Sequence, residues 1–296
     1  MMSLQGIGKV SLPGRQGRHL TGKGKLFEQR VHRTTRSSAL GQMELIYHYT
    51  VQTIRAGHRT GSLWVLINIF QIVVLILLFA LLMSLFGGRR AAVRGDFLLY
   101  IMTGVFLFKT HVQATGAVFS AAASTSGLMQ HMPMNTIVAI SASALSALYI
   151  QTMSALVILF VYHAAFTPIT IDQPVGALAA FLLAWLSGCA VGMVFRAARP
   201  WAEKPVTLVK TVYQRANMLA SGKMFLANNM PALVLPYFLW NPLFHTIDQA
   251  RGFTFLNYTP HNTSMTYPLY FSMALLTIGL LGEYFTGKNA SFSWRQ

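Results

Sequence analysis

Seven carboxylates in 296 residues leave this chain little acid–base chemistry to perform. Glu28, Glu44, Asp96, Asp172, Glu203, Asp248 and Glu283 are scattered, whereas hydrolysis or glycosyl transfer needs clustered carboxylates for proton transfer or metal binding. His111, His131, His163, His245 and His261 lack the i, i+4 spacing of helix-borne metal ligands. Cys189 is the one cysteine, so neither an internal disulfide nor a Cys-based metal site can form. A phosphate loop, Gly-x-x-x-x-Gly-Lys-Ser/Thr, is also missing: Gly222-Lys223 has Asn217 where the first glycine belongs, and Gly24-Lys25 is followed by Leu26. The expectation is no catalytic residue, no metal, no cofactor and no ATPase site.

The residues that remain suit recognition. Lys109 lies in the middle of an apolar helix, where an ionisable group is costly and functional by default, unless it snorkels to a membrane face. Lys210, Gln214 and Arg215 occupy neighbouring parts of one helix surface, as at a pathway mouth or at a helix's cytoplasmic end. Tyr213, Phe225, Tyr237, Phe238 and Trp240 offer aromatic faces, either for sugar rings or for an interfacial belt. His245, Asp248 and Arg251 are three apart, so one helical turn brings them together, to lock a gate or to cap a short helix. The triplets at Asn257, Asn262 and Asn289 match the glycosylation pattern, are common by chance and receive no role.

The elements that must position these groups are membrane helices. The chain is 54% hydrophobic and 10% charged, where a soluble domain carries about 25% charged residues. Six spans are predicted, at about 62–86, 97–120, 136–164, 175–195, 206–226 and 269–285, since about 20 apolar residues cross a bilayer as helix. The fold class is all-α and polytopic. Residues 1–42 read as a basic, disordered cytoplasmic arm, with a start at Met43 as an alternative. Residues 43–290 form the transmembrane domain, opening with an amphipathic interfacial helix over 43–60. Pro231, Pro236, Pro242, Pro260 and Pro268 rule out one straight helix, and 231–239 is too short to span, so it reads as a re-entrant segment.

Net charge of +16 suggests nucleic acid only until position is considered. Eight of the 23 Lys and Arg precede residue 40, and most others flank hydrophobic runs, as in membrane proteins with basic cytoplasmic loops. Both termini are therefore expected in the cytoplasm, although Arg89, Arg90 and Arg94 run against the rule.

Three blocks then resemble a known family. They are Thr103-Gly104-Val105-Phe106-Leu107-Phe108-Lys109, the segment ending His131-Met132-Pro133, and Ser221-Gly222 followed by Asn241-Pro242-Leu243-Phe244-His245 and Arg251. The chain is similar, over about 43–288, to capsular-polysaccharide export permeases, the membrane subunits of type-2 ABC exporters. Tyr258-Thr259-Pro260-His261 and Tyr267 look more like this branch than the O-antigen or teichoic-acid branches. Asp248 stands where the family commonly has Glu, and Ser124-Thr125-Ser126 replace its usual Asn and basic residues.

The resemblance implies a homodimer of six-helix subunits in the bacterial inner membrane, driven by two copies of a cytoplasmic ATPase. It further implies a polysaccharide or glycolipid substrate, and export proteins of the periplasm and outer membrane as partners. Lys109, Lys210, Arg215, Tyr213, Phe225, Tyr237 and Trp240 become candidates for the path. Asn241, Pro242, His245, Asp248 and Arg251 become candidates for an outer gate. Leu128, Met129, Gln130, His131, Met132 and Pro133 become candidates for ATPase coupling. The alternatives are a permease for another glycan and, disfavoured by the scattered acids, a membrane-embedded glycan enzyme.

Overall fold

A computed structural model describes residues 35–56, 61–85, 96–121 and 136–293. Residues 1–39 and 40–296 form separate units, and the packed core belongs to the second. The described residues form helices: α1 (Thr35–Ala56), α2 (Gly61–Leu85), α3 (Phe97–Ser120), α4 (Thr136–Ala165), α5 (Pro174–Ala198), α6 (Glu203–Ala220), α7 (Leu235–Leu239), α8 (Pro242–Thr254) and α9 (Thr266–Ser293). Among the described residues, five stretches are long and apolar enough to cross a membrane, those of α2, α3, α4, α5 and α9. The polytopic all-α reading holds.

Three boundaries differ from expectation. Helix α1 starts at Thr35, inside the expected arm, because neither proline nor a charge run interrupts 35–43. Helix α6, expected over 206–226, stops at Ala220, since Gly222 turns the chain at φ 70°. A Cβ there would also sit 2.3 Å from the Phe244 ring, so the turn demands glycine twice over. Helix α9 begins at Thr266, because Pro268 falls in its first turn, where an N–H has no partner to lose.

Helix α5 is the hub, packing on α3, α9 and α8. Small residues set the spacing: a Cβ on Gly188 would lie 2.4 Å from the carbonyl oxygen of His111, so α3 and α5 touch backbone to backbone. Each end of the bundle carries a polar clamp. At one end Asp96 caps α3 by accepting from the Leu98 N–H at 3.0 Å, and it also accepts from Tyr162 and from Thr167 at 2.6 Å. At the other, buried Arg196 pairs with Glu283 at 3.3 Å and donates to the Ala121 carbonyl, joining α3, α5 and α9.

Between α6 and α9 the chain makes a hairpin rather than a span. It leaves Ala220, passes a 3-10 turn at Ala227–Asn229, and returns through α7 to Asn241. Asn241 closes the return: its Nδ2 donates to Asn217 Oδ1 at 2.7 Å and to the Ala220 carbonyl at 3.0 Å. Its own Oδ1 accepts from the Leu243 N–H and, with Pro242 in the first turn, starts α8. Helix α8 then climbs until Phe253 and Thr254 carbonyls meet the N–H groups of Gln173 and Asp172. The broken stretch before α9 thus runs beyond the predicted 231–239 and takes in α8.

Candidate functional site

Helix α6 is the element around which the predicted residues gather. Its 18 residues reach about 27 Å, short of a hydrocarbon core of about 30 Å. It is polar along one side and packs only lightly on α3 and α5. Tyr213 fastens it: the phenol lies 2.9 Å from His111 Nε2, and His111 Nδ1 lies 2.9 Å from Ser187 Oγ. Ser187 already donates to the Ala184 carbonyl, so it accepts from Nδ1–H, leaving Nε2 to accept from the tyrosine. His111 is thereby held neutral, fully buried, as a link between α3, α5 and α6.

The structure brings Tyr213, Tyr237, Trp240, Asn241 and Pro242 into one groove of about 410 Å³. Phe195, Asn217 and Phe271 complete its polar and aromatic lining. Tyr237 and Trp240 stand 83% and 81% exposed, so their rings are available to a ligand rather than consumed in packing. Such a strip, aromatic with two carboxamides, suits the apolar faces and hydroxyl edges of sugar rings.

The other path candidates lie elsewhere. Lys109 Nζ donates to Gln71 Oε1 at 3.0 Å, at the seam of α2 and α3. Lys210 lies over the Phe119 ring, 4.6 Å from its centroid. Phe225 is half-exposed beyond the end of α6. Arg215 is exposed on the face of α6 that also presents Leu208, Val212 and Leu219.

His245, Asp248 and Arg251 share a helix face but do not bond to one another. His245 Nδ1 accepts from the Ser264 N–H at 3.2 Å, so Nε2 carries the proton that reaches the Leu239 carbonyl at 2.9 Å. Asp248 accepts from the Ala227 N–H at 3.2 Å, Tyr258 at 2.5 Å and Thr263 at 2.8 Å. Burial first, and then this bond to Asp248, pushes the Tyr258 phenol above its ordinary range. Arg251 is fully buried, donates to the carbonyls of Gly222, Phe225 and Lys223, and stacks 4.0 Å above Tyr100. The three side chains therefore staple the hairpin from within: Arg251 to 222–225, His245 to 239 and 264, and Asp248 to both 227 and 258–263.

Lys223 is 2% exposed, its Nζ 3.5 Å from the Phe108 centroid and 4.4 Å from that of Phe79. Among the described residues that nitrogen has no hydrogen-bond partner, and it faces the two rings. The coupling candidates, residues 128–133, lie outside the described residues. Sequence reading missed the carboxamide cluster of Asn68, Gln113 and Gln151, and the link from His111 to Ser187. The signal was present in each case, as a polar side chain inside an apolar span.

No family model matches the chain. Among curated proteins it is similar to a polysialic acid transport protein, KpsM, of Escherichia coli, at 22% identity over 243 residues. That alignment covers 80% of this chain and 90% of the relative. A second Escherichia coli protein of the same name is 23% identical over 189 residues, covering 62% of this chain and 71% of its own length. The alignment runs through nearly the whole relative, and the described residues are helical with five stretches long and apolar enough to cross a membrane, so both findings support the resemblance to the capsular-polysaccharide export permeases.

Proposed function

We propose that this chain is the inner-membrane permease subunit of an ATP-driven exporter that carries capsular or related surface polysaccharide from cytoplasm to periplasm. Two copies would enclose the path, with a separate ATPase on the cytoplasmic side. Arg215 is the observation that carries the reading. It lies two residues beyond Tyr213, whose partner His111 sits well inside the α3 span, yet Arg215 is exposed. A cation facing lipid at that depth costs about 3 kcal/mol or more. A second copy of α6, or a water-filled path beside it, removes that cost. The aromatic groove flanks the same helix, so a polymer moving along α6 would meet Tyr213, Tyr237 and Trp240 in turn.

Sidedness follows from charge. The α5–α6 junction, residues 196–204, carries Arg196, Arg199 and Lys204, and is read as cytoplasmic, with both termini on that side. Asp96, Asp172 and the hairpin then face the periplasm. The similarity to polysialic acid transport proteins supports a glycan cargo. In this reading the hairpin forms the outer gate, and residues 128–133 receive the push of the ATPase.

The test is co-purification of the tagged chain in mild detergent, paired with deletion of its gene. A stoichiometric ATPase bearing a phosphate loop, together with loss of surface polysaccharide, is the expected result. Purification alone with surface glycan unchanged would overturn the reading. It would reopen the possibility of an enzyme.

A further inference from the structure

A second cavity, away from the aromatic groove, is built to hold something polar. It occupies about 580 Å³ between α1, α2, α3 and α4, and Tyr49, Trp64, Gln113, Ser143, Ser146 and Gln151 are among its walls. Ligand pockets fall between about 300 and 1,000 Å³. Its floor is the carboxamide cluster. Asn68 Oδ1 accepts from Gln151 Nε2 at 3.2 Å and from Gln113 Nε2 at 3.5 Å, while Asn68 Nδ2 donates to Ser154 Oγ at 2.8 Å.

This arrangement uses three of the four hydrogen-bonding positions of Asn68 and one of the four on each glutamine. Each glutamine spends one N–H on Asn68 and keeps its carbonyl oxygen and second N–H for something else. Gln151 is 2% exposed, lines the cavity, and is pinned so that its orientation needs no further ordering. Interhelical bonding alone would account for Asn68 but leaves these groups unused. A buried carboxamide with open valences that borders a cavity calls for a polar occupant.

The lining also restricts what that occupant is. Among the described residues no Asp, Glu, Lys, Arg or His borders the cavity, whereas a carboxylate or phosphate calls for a counter-charge. An acyl chain would strand the amides. It has a better home in the all-apolar cleft of about 240 Å³ between the other halves of α2, α3 and α4. Hydroxyl-rich rings fit both halves of the lining: their hydroxyls pair with the amides and serines, and their C–H faces stack on Tyr49.

We propose that this cavity binds an uncharged pyranose segment, an entry site for the glycan before it reaches α6. That this sugar is cargo rests on the exporter reading; the binding does not. It follows that an anionic cargo would be gripped here through a neutral stretch or through its hydroxyl edges.

The probe is maltotetraose, with an oligosialic acid for comparison, added to the full chain in a polyoxyethylene detergent; a maltoside detergent would itself compete. Tryptophan fluorescence is read in the wild-type chain and in Trp64→Phe. We expect a saturable change with maltotetraose that Trp64→Phe abolishes, and about tenfold weaker binding in Gln151→Leu, from loss of one or two hydrogen bonds. Gln113→Leu should weaken binding likewise, and the melting profile of each variant verifies its fold. No saturable response to maltotetraose, a response to oligosialate alone, or unchanged affinity in folded Gln151→Leu would each overturn the proposal. The exporter reading fails separately, by unchanged surface polysaccharide on gene deletion.

Discussion

Arg251 offers the sharpest check on how the hairpin is held. Its guanidinium is fully buried, and no carboxylate pairs with it among the described residues. The charge is met instead by three carbonyl dipoles and the Tyr100 ring. Arg251→Ala strips the guanidinium donors from all three. The Phe225 carbonyl lies on a half-exposed residue and can recruit water, and that of Gly222 still accepts from the Phe225 N–H at 3.1 Å, but that of Lys223 lies on a buried residue and is left unmet. An unmet buried acceptor costs about 2 kcal/mol. For a domain of this size that corresponds to a melting temperature lower by about 5 °C. Arg251→Lys keeps the charge but reaches fewer carbonyls, and should lose about half as much. The assay is thermal unfolding in detergent followed by tryptophan emission, with limited proteolysis to show whether 221–265 opens first. A fall of less than about 2 °C in Arg251→Ala would refute the reasoning, since the Lys223 carbonyl would then be satisfied by something else.

Other consequences can be read from the same contacts. Gly188→Leu should cost about 1–3 kcal/mol or more and reduce the folded fraction on size exclusion, because its first side-chain carbon meets the His111 carbonyl. Arg215→Ala should leave the melting temperature almost unchanged, as exposed substitutions stay within about 0.5 kcal/mol, while surface polysaccharide falls; normal export would remove the main support for a path along α6. Burial alone would raise the Asp96 carboxyl, but bonds from Thr167, Tyr162 and the Leu98 and Leu99 N–H groups outweigh it and hold the group below its usual value. Its contribution to stability is therefore present above the ordinary carboxylate range and lost as pH falls through the lowered value. Melting curves of Asp96→Asn should lack that acid-side loss.

Much of this protein was legible before any coordinates. A carboxylate count of seven and the lack of a phosphate loop excluded catalysis by these routes. Apolar runs of the right length marked α2, α3, α4, α5 and α9, because the bilayer imposes one length on every helix that crosses it. The prolines from 231 to 268 announced a broken segment, since each removes a backbone donor. Asn241 and Arg251 stood out through the family resemblance, as gate candidates; in the structure both hold the hairpin.

What tertiary structure alone decided was azimuth and partnership. Helices such as α2 and α4 are apolar around most of their circumference, because lipid accepts the same side chains as a protein core. Periodicity in such a helix reports that it is immersed, not which face meets a neighbour. So nothing local revealed that Asn68 would meet Gln151 and Ser154, 83 and 86 residues away, or that Tyr213 would turn inward to His111 while Arg215 turned out. His245, Asp248 and Arg251 show the same limit at short range. Helical spacing put them on one face, but their partners come from 222–227, 239 and 258–264, segments that only chain reversal at Gly222 and Asn241 delivers. The sequence determined the solvent of each segment and its breaks; the packing of those segments, governed by backbone contact at residues such as Gly188, decided which polar groups meet.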